Sequence, residues 1–108
     1  MDEPNDLFEH VASHAERPGF RISEIRLSPT QRVPWHHHSN IADTFYVLDG
    51  RIRITLQSPD ERVELGVGES WGPARSGRPH LVTNAGVGDA IFLVLQGMGD
   101  YDFVPGRG

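Results

Sequence analysis

The chain reads as an all-β domain, a sandwich or barrel of short strands. Three observations predict it. From Phe20 onward, short apolar segments recur about every ten residues between Gly- and Pro-bearing turns, the spacing of stacked antiparallel strands. Asp49-Gly50 is a strong hairpin dipeptide, and the segment after it alternates apolar with polar: Ile52, Ile54 and Leu56 on one face, Arg51, Arg53 and Thr55 on the other. Residues 90–96 are almost uninterruptedly apolar, as expected for a strand covered on both faces.

The elements follow in order. In residues 5–15, Leu7, Phe8, Val11, Ala12 and Ala15 recur at helical spacing after Asp6, a candidate N-cap. The same residues also suit a first strand running into Arg17-Pro18-Gly19, so a short N-terminal helix and a strand stay open as alternatives. His10 and His14 read as a solvated face. Residues 20–28 form a strand in which Ile22 is out of phase with Ile25 and Leu27, a sign of a bulge or of two-sided burial. Ser28-Pro29-Thr30 turns. Strands are then expected over 33–38, 42–48, 51–57, 62–65, 70–73, 80–85 and 90–96, with Ser58-Pro59-Asp60, Gly66-Val67-Gly68-Glu69 and 86–89 as turns and 74–79 as a loop. The Gly-rich segment 98–108 is a strap or a tail. This gives an arm over 1–19, a barrel over 20–97 and a C-terminal strap, with no repeat and no second domain.

Composition narrows the function classes. The chain has 108 residues, enough for one core. Its net charge of −5 and lack of a basic cluster argue against nucleic acid or an anionic membrane as partner. No apolar run reaches the roughly 20 residues of a spanning helix. The acidic N-terminus lacks the layout of a signal peptide, so cytoplasmic residence is the expectation. Without cysteine there is no disulfide, thiolate ligand or cysteine nucleophile.

Two stretches carry chemistry. The first contains Trp35, His36, His37, His38 and Asp43. Side chains alternate along a strand, so His36 and His38 share one face and His37 the other. Two imidazoles on one face of a strand are half of a coordination sphere, and Asp43, opening the next strand, can fold back toward them. The second stretch runs from Gly68 to Asn84 and places His80 at the start of a strand.

Together the stretches resemble the cupin family, small jelly-roll barrels. The first cupin motif is Gly, five residues, His-x-His, three or four residues, Glu, six residues, Gly. Here His36-x-His38, four residues, Asp43, six residues and Gly50 match that spacing, and Gly77-x-x-His80-x-x-x-Asn84 matches the end of the second motif. Three positions depart from the pattern. Thr30 stands for the first glycine, Pro73 and Gly77 are further apart than in the motif, and Asp43 replaces glutamate. The shorter aspartate leaves three roles open: direct ligation, ligation through water, or orienting a histidine.

The resemblance implies a cupin jelly roll over about residues 20–97. It also implies a divalent transition metal (Fe, Mn, Ni, Cu, Co or Zn) held by His36, His38 and His80, with Asp43 as fourth ligand. Such a set leaves positions for water or substrate. Arg75 and Arg78 in the remodelled loop are candidate anion clamps. Asn84, Trp35, Phe45 and Trp71 are candidate pocket residues as well as candidate structural ones. The expected function is metal-dependent dioxygenase, isomerase or lyase chemistry on a small molecule. The alternative is a non-catalytic sugar- or metabolite-binding module; a storage role is a weaker third. Tyr46, Leu48, Ile91, Leu93 and Leu95 form an outward apolar set that predicts a homodimer.

Overall fold

A computed structural model describes residues 8–17, 19–39, 41–74, 77–97 and 103–106. Ten strands are found among them: β1 Glu9–Arg17, β2 Phe20–Leu27, β3 Arg32–His37, β4 Ala42–Asp49, β5 Ile52–Leu56, β6 Glu61–Leu65, β7 Ser70–Ala74, β8 His80–Asn84, β9 Ala90–Gly97 and β10 Val104–Pro105. They form two antiparallel five-stranded sheets, β1-β2-β9-β4-β7 and β10-β3-β8-β5-β6. No helix occurs among the described residues, and thus none long and apolar enough to cross a membrane.

The inner faces follow from the alternation of side chains. Ile52, Ile54 and Leu56 on β5 meet Phe45 and Val47 on β4 and Phe92 on β9, all almost fully buried. Burying each of the larger side chains contributes roughly 1.5–3 kcal/mol. The outer phase of β9, Ile91, Leu93 and Leu95, is only half-buried, so the chain by itself covers one face of this strand fully and not two.

Residues 9–17 take the strand and not the helix. The helical spacing has a physical source: the β1–β2 register shifts between His10 and Ala12 and again between Ser13 and Ala15. Each bulge inserts a residue and resets the phase. The half-buried Ala12 and Ala15 thus end three apart, as they would be on a helix. The irregularity suggested by Ile22 lies on β1, since β2 pairs with β9 without a shift. At Thr30, the turn closes by Gln31 N donating to Ser28 O at 3.0 Å, without a positive φ.

Asn84 is a turn staple. Its Nδ2 donates to Leu27 O (3.1 Å) and Gly88 O (2.8 Å), and its Oδ1 accepts from Gly86 N (2.8 Å). It joins the end of β8 to β2 and is not among the residues that line the cavity described below.

Candidate metal centre

The His-rich strand is turned by a bulge. Val33 is buried, so strict alternation would bring Trp35 and His37 inward and turn both His36 and His38 to the outside. The β3–β8 register shifts between Val33 and His36, and the extra residue reverses the phase. Pro34 and Trp35 occupy the shift, and Pro34, which has no N–H to lose, suits an irregular position. His36 and His38 are buried at 4% and 3% exposure, while Trp35 and His37 are half-buried. Trp35 lines an outer groove with Thr55, Gln57 and Asp60, so it is not a wall of the inner cavity.

The inward residues converge. His36, His38, Asp43 and His80 each offer a ligand atom, and these atoms lie within 4.8 Å of one another. Asp43 Oδ2 is 3.0 Å from His38 Nε2 and 3.1 Å from His80 Nε2, so the shorter carboxylate reaches both rings. The second sheet supplies the histidines; the first supplies Asp43 from the start of β4.

Backbone carbonyls set two of the rings. His36 Nδ1 lies 2.8 Å from Pro34 O and His80 Nδ1 3.0 Å from Arg78 O. A carbonyl can only accept, so His36 Nδ1 carries its proton and His36 Nε2 presents its lone pair to the cluster, whereas His80 Nε2 faces Asp43 Oδ2 and would turn its lone pair to a metal only when one is bound. This arrangement fits a divalent metal: three imidazoles, a carboxylate and carbonyl partners behind two of the rings.

Charge favours the same state. Burial, and after it the neighbouring His80, lowers His36 to about 4, so the ring is neutral at pH 7. For Asp43, burial opposes ionisation, but hydrogen bonds from His38 and His80 outweigh it and hold the carboxyl below the usual carboxylate range.

A stability prediction follows for the metal-free protein. In the unfolded chain His36 titrates near 6.5. Above that pH the ring is neutral in both states and contributes nothing. Below it the unfolded chain takes up a proton that the folded chain refuses, so stability falls between pH 6.5 and about 4, by on the order of 3 kcal/mol. Asp43 adds a loss at still lower pH, as its depressed carboxyl finally protonates. Urea melts of chelator-treated protein from pH 8 to pH 4 check the slope; a flat profile contradicts it.

Residues outside the expected set complete the site. Gln96 Nε2 donates to Asp43 Oδ1 at 3.0 Å, fixing the oxygen that the histidines leave. Its signal was in the sequence, as the one polar residue in the inward phase Ala90, Phe92, Val94, Gln96. Phe103 stacks on His36 with centroids 4.3 Å apart and planes 15° off parallel, carried by β10 pairing with β3. That contact pairs segments far apart in sequence, and no motif marks it. Among the described residues of the C-terminal segment, Val104 and Pro105 pair with His37 and His36.

The clamp candidates fare differently. Arg78 donates to Gln57 O, Pro59 O and Glu61 Oε1 at 3.0, 2.6 and 2.9 Å. It ties the 57–61 turn to β8 and is not among the residues that line the inner cavity. Arg75 lies outside the described residues. Trp71 packs half-buried against the core, away from the cavity lining, whereas Phe45 lines it. The cavity, about 230 Å³, opens beside the cluster between Phe8, Ile25, Val33, Phe92 and Val94.

The comparisons with known proteins agree with this geometry. A cupin-domain family model matches residues 23–102. A conserved protein with a double-stranded β-helix domain from Klebsiella pneumoniae is 19% identical, with TM-score 0.81 over 100% of this chain and 86% of its own. Oxalate decarboxylase of Bacillus subtilis, described with Mn(II) centres, is 21% identical, with TM-score 0.73 over 82% of this chain and 24% of its own. An oxalate oxidase is 17% identical, with TM-score 0.71 over 81% of this chain and 46% of its own. At these identities the likeness is one of fold. No curated protein matches the sequence.

Proposed function

The chain belongs to the cupin family, and from that premise we propose that it is a metal-dependent protein acting on a small organic molecule. The observation that carries the reading is the burial of four ligand atoms within 4.8 Å of one another beside a cavity. His36, His38, His80 and Asp43 hold a divalent transition metal. When bound, such a metal supplies Lewis acidity and, for iron, copper or manganese, redox capacity. The protein's residues do the rest. Pro34 O and Arg78 O keep the rings aimed, Asp43 balances positive charge, and Gln96 keeps the carboxylate in register. The apolar wall excludes water from all but the ligand's polar end. At about 230 Å³ the cavity is below the ~300–1,000 Å³ of sites for drug-sized ligands, so the substrate is small. Dioxygenase, isomerase and lyase chemistry remain the candidate reactions, since fold alone does not choose among them.

A second reading, a metabolite-binding module without turnover, draws on one observation. Asp43 already has His38 and His80 on one oxygen and Gln96 on the other, so the cluster is hydrogen-bonded without an ion. Metal content by mass spectrometry, on untagged protein never exposed to metal-affinity resin, separates the two. Near-stoichiometric metal, with chelator-sensitive turnover of a small acid or carbonyl compound, supports the enzyme. No uptake after adding each of Fe, Mn, Ni, Cu, Co and Zn supports the module.

The homodimer belongs to this proposal. Tyr46 and Leu48 on β4 are 38% and 40% exposed and continue the half-buried Ile91, Leu93 and Leu95 of β9. A second copy is the occupant that this apolar face suits. Sedimentation equilibrium at micromolar protein should give twice the chain mass; the mass of one chain excludes it.

A further inference from the structure

We propose that Ser23 binds the ligand of the barrel, its hydroxyl meeting an uncharged hydroxyl or carbonyl group at the end away from the metal cluster. The cavity then takes a molecule of about one ring, apolar along its body. The inference rests on reading the cavity as the ligand site and deepens it.

Phase and register place the residue. Ser23 stands in the inward phase of β2 with Ile25 and Leu27, is 7% exposed, and lines the cavity. Across the sheet it pairs with Val94 on β9, whose side chain offers no polar atom. On the other side it pairs with Ser13 on β1, whose Oγ lies 3.2 Å from His10 Nε2. The other polar groups of the lining are engaged. His36, His38, Asp43 and Gln96 are bonded to one another or to a backbone carbonyl, and Arg21 has an interaction as well. Among the described residues no hydrogen bond is found for Ser23 Oγ, and its oxygen keeps some surface open to the cavity. A wall that had only to be filled would be better served by alanine, which carries no polar group to desolvate.

The same register relates this hydroxyl to the cluster. Gln96 is the diagonal neighbour of Ser23, two positions beyond Val94 on the same face. Diagonal partners stand roughly 7–8 Å apart. Asp43 is one strand further, paired with Gln96, and Phe45 is paired with Val94. Ser23 thus looks toward the cluster across an apolar floor of Val94 and Phe45.

Chemistry selects the ligand. Water is a poor occupant, since a buried water typically makes about three hydrogen bonds and this hydroxyl, among Ile25, Val94 and Phe45, offers one partner. A charged group is a poor match too, because serine brings no counter-charge and the apolar neighbours strip an ion of its water. A hydroxyl or carbonyl needs one hydrogen bond, which serine can donate or accept. An apolar cavity of about 150 Å³ holds benzene, so about 230 Å³ holds one ring with small substituents.

Phenol and toluene share a shape and differ in the hydroxyl, so they are the probes. Each is titrated by calorimetry into metal-stripped parent, Ser23→Ala and Ser23→Thr. Zinc uptake and melting temperature are measured on every variant. Ser23→Ala should lower the ratio of phenol to toluene affinity by about tenfold, the scale of a buried hydroxyl left unmet. Ser23→Thr keeps the hydroxyl and should hold the ratio near that of the parent. Ser23→Ala should also take up zinc and melt no lower than the parent, because the group it removes has no partner in the protein. An unchanged ratio in Ser23→Ala, an equal loss for both probes, a ratio lost in Ser23→Thr as well, or no binding of either probe to the parent overturns the proposal. So does a clear fall in the melting temperature of Ser23→Ala, which would make the hydroxyl structural. Failure of the metal reading shows separately, as no zinc uptake by a protein whose phenol preference still depends on Ser23.

Discussion

Replacing His80 by alanine should take the protein from near one metal ion per chain to less than about a tenth. The ring contributes one of only three imidazole lone pairs, and Arg78 O behind it has already fixed which nitrogen faces the cluster. Removing an outer partner of a metal ligand typically costs ten- to a hundredfold in affinity, so removing the ligand itself should cost more than a hundredfold. Alanine also leaves a void beside Asp43, whose carboxylate then loses one of two imidazole partners on Oδ2. His37→Ala is the internal control. It lies on β3 next to His36, but on the face that the Val33–His36 bulge turns away. Mass spectrometry should find His37→Ala loaded like the parent and His80→Ala empty. Equal loss in both would mean that the bulge does not set which histidines face inward.

The bulges mark where the sequence stopped being legible. His36, His38, Asp43 and His80 stood out because imidazoles and carboxylates at motif spacing are rare by chance, and the same spacing marked the barrel. Ile52, Ile54 and Leu56 were readable because an unbroken strand keeps period two. Period fails at β1, where two inserted residues imitate a helix, and at β3, where strict alternation from Val33 predicts the wrong inward set. Trp35 was a candidate for the pocket because it is a large apolar residue next to the histidines, and it lines an outer groove. The partners of Arg78 were out of reach for another reason: composition marks an arginine beside a site but not the carbonyls of Gln57 and Pro59 that hold it. Gln96 was visible as a polar residue in an inward phase, but its role as the partner of Asp43 needs the β4–β9 register.

The same logic makes Gly72 the backbone position with the largest expected effect on the site. Between the pairs Asp43↔Ala74 and Phe45↔Trp71, β4 has one residue and β7 has two, so Gly72 and Pro73 form a bulge against Thr44. Gly72 has φ 138°, and a Cβ there would stand 2.7 Å from Asp43 O and 2.7 Å from Thr44 Cα. Both are backbone atoms, so no side chain can swing aside; β7 or the Asp43 segment has to move. Strain of this kind costs about 1–3 kcal/mol by itself, and the contact adds to it, so Gly72→Ala should lose roughly 3 kcal/mol or more in urea melts of metal-stripped protein. Because the displaced peptide carries the carboxylate of the cluster, metal affinity should fall too, although Gly72 touches no ligand atom. Gly68→Ala separates the causes. Its φ is also positive, at 82°, but its Cβ would meet nothing within 4 Å. It should cost only about 1 kcal/mol and leave metal binding as it was. If the two variants melt alike, the close approach at Thr44 is not what holds Asp43 in place, and the position of the carboxylate must come from its histidine and glutamine partners alone.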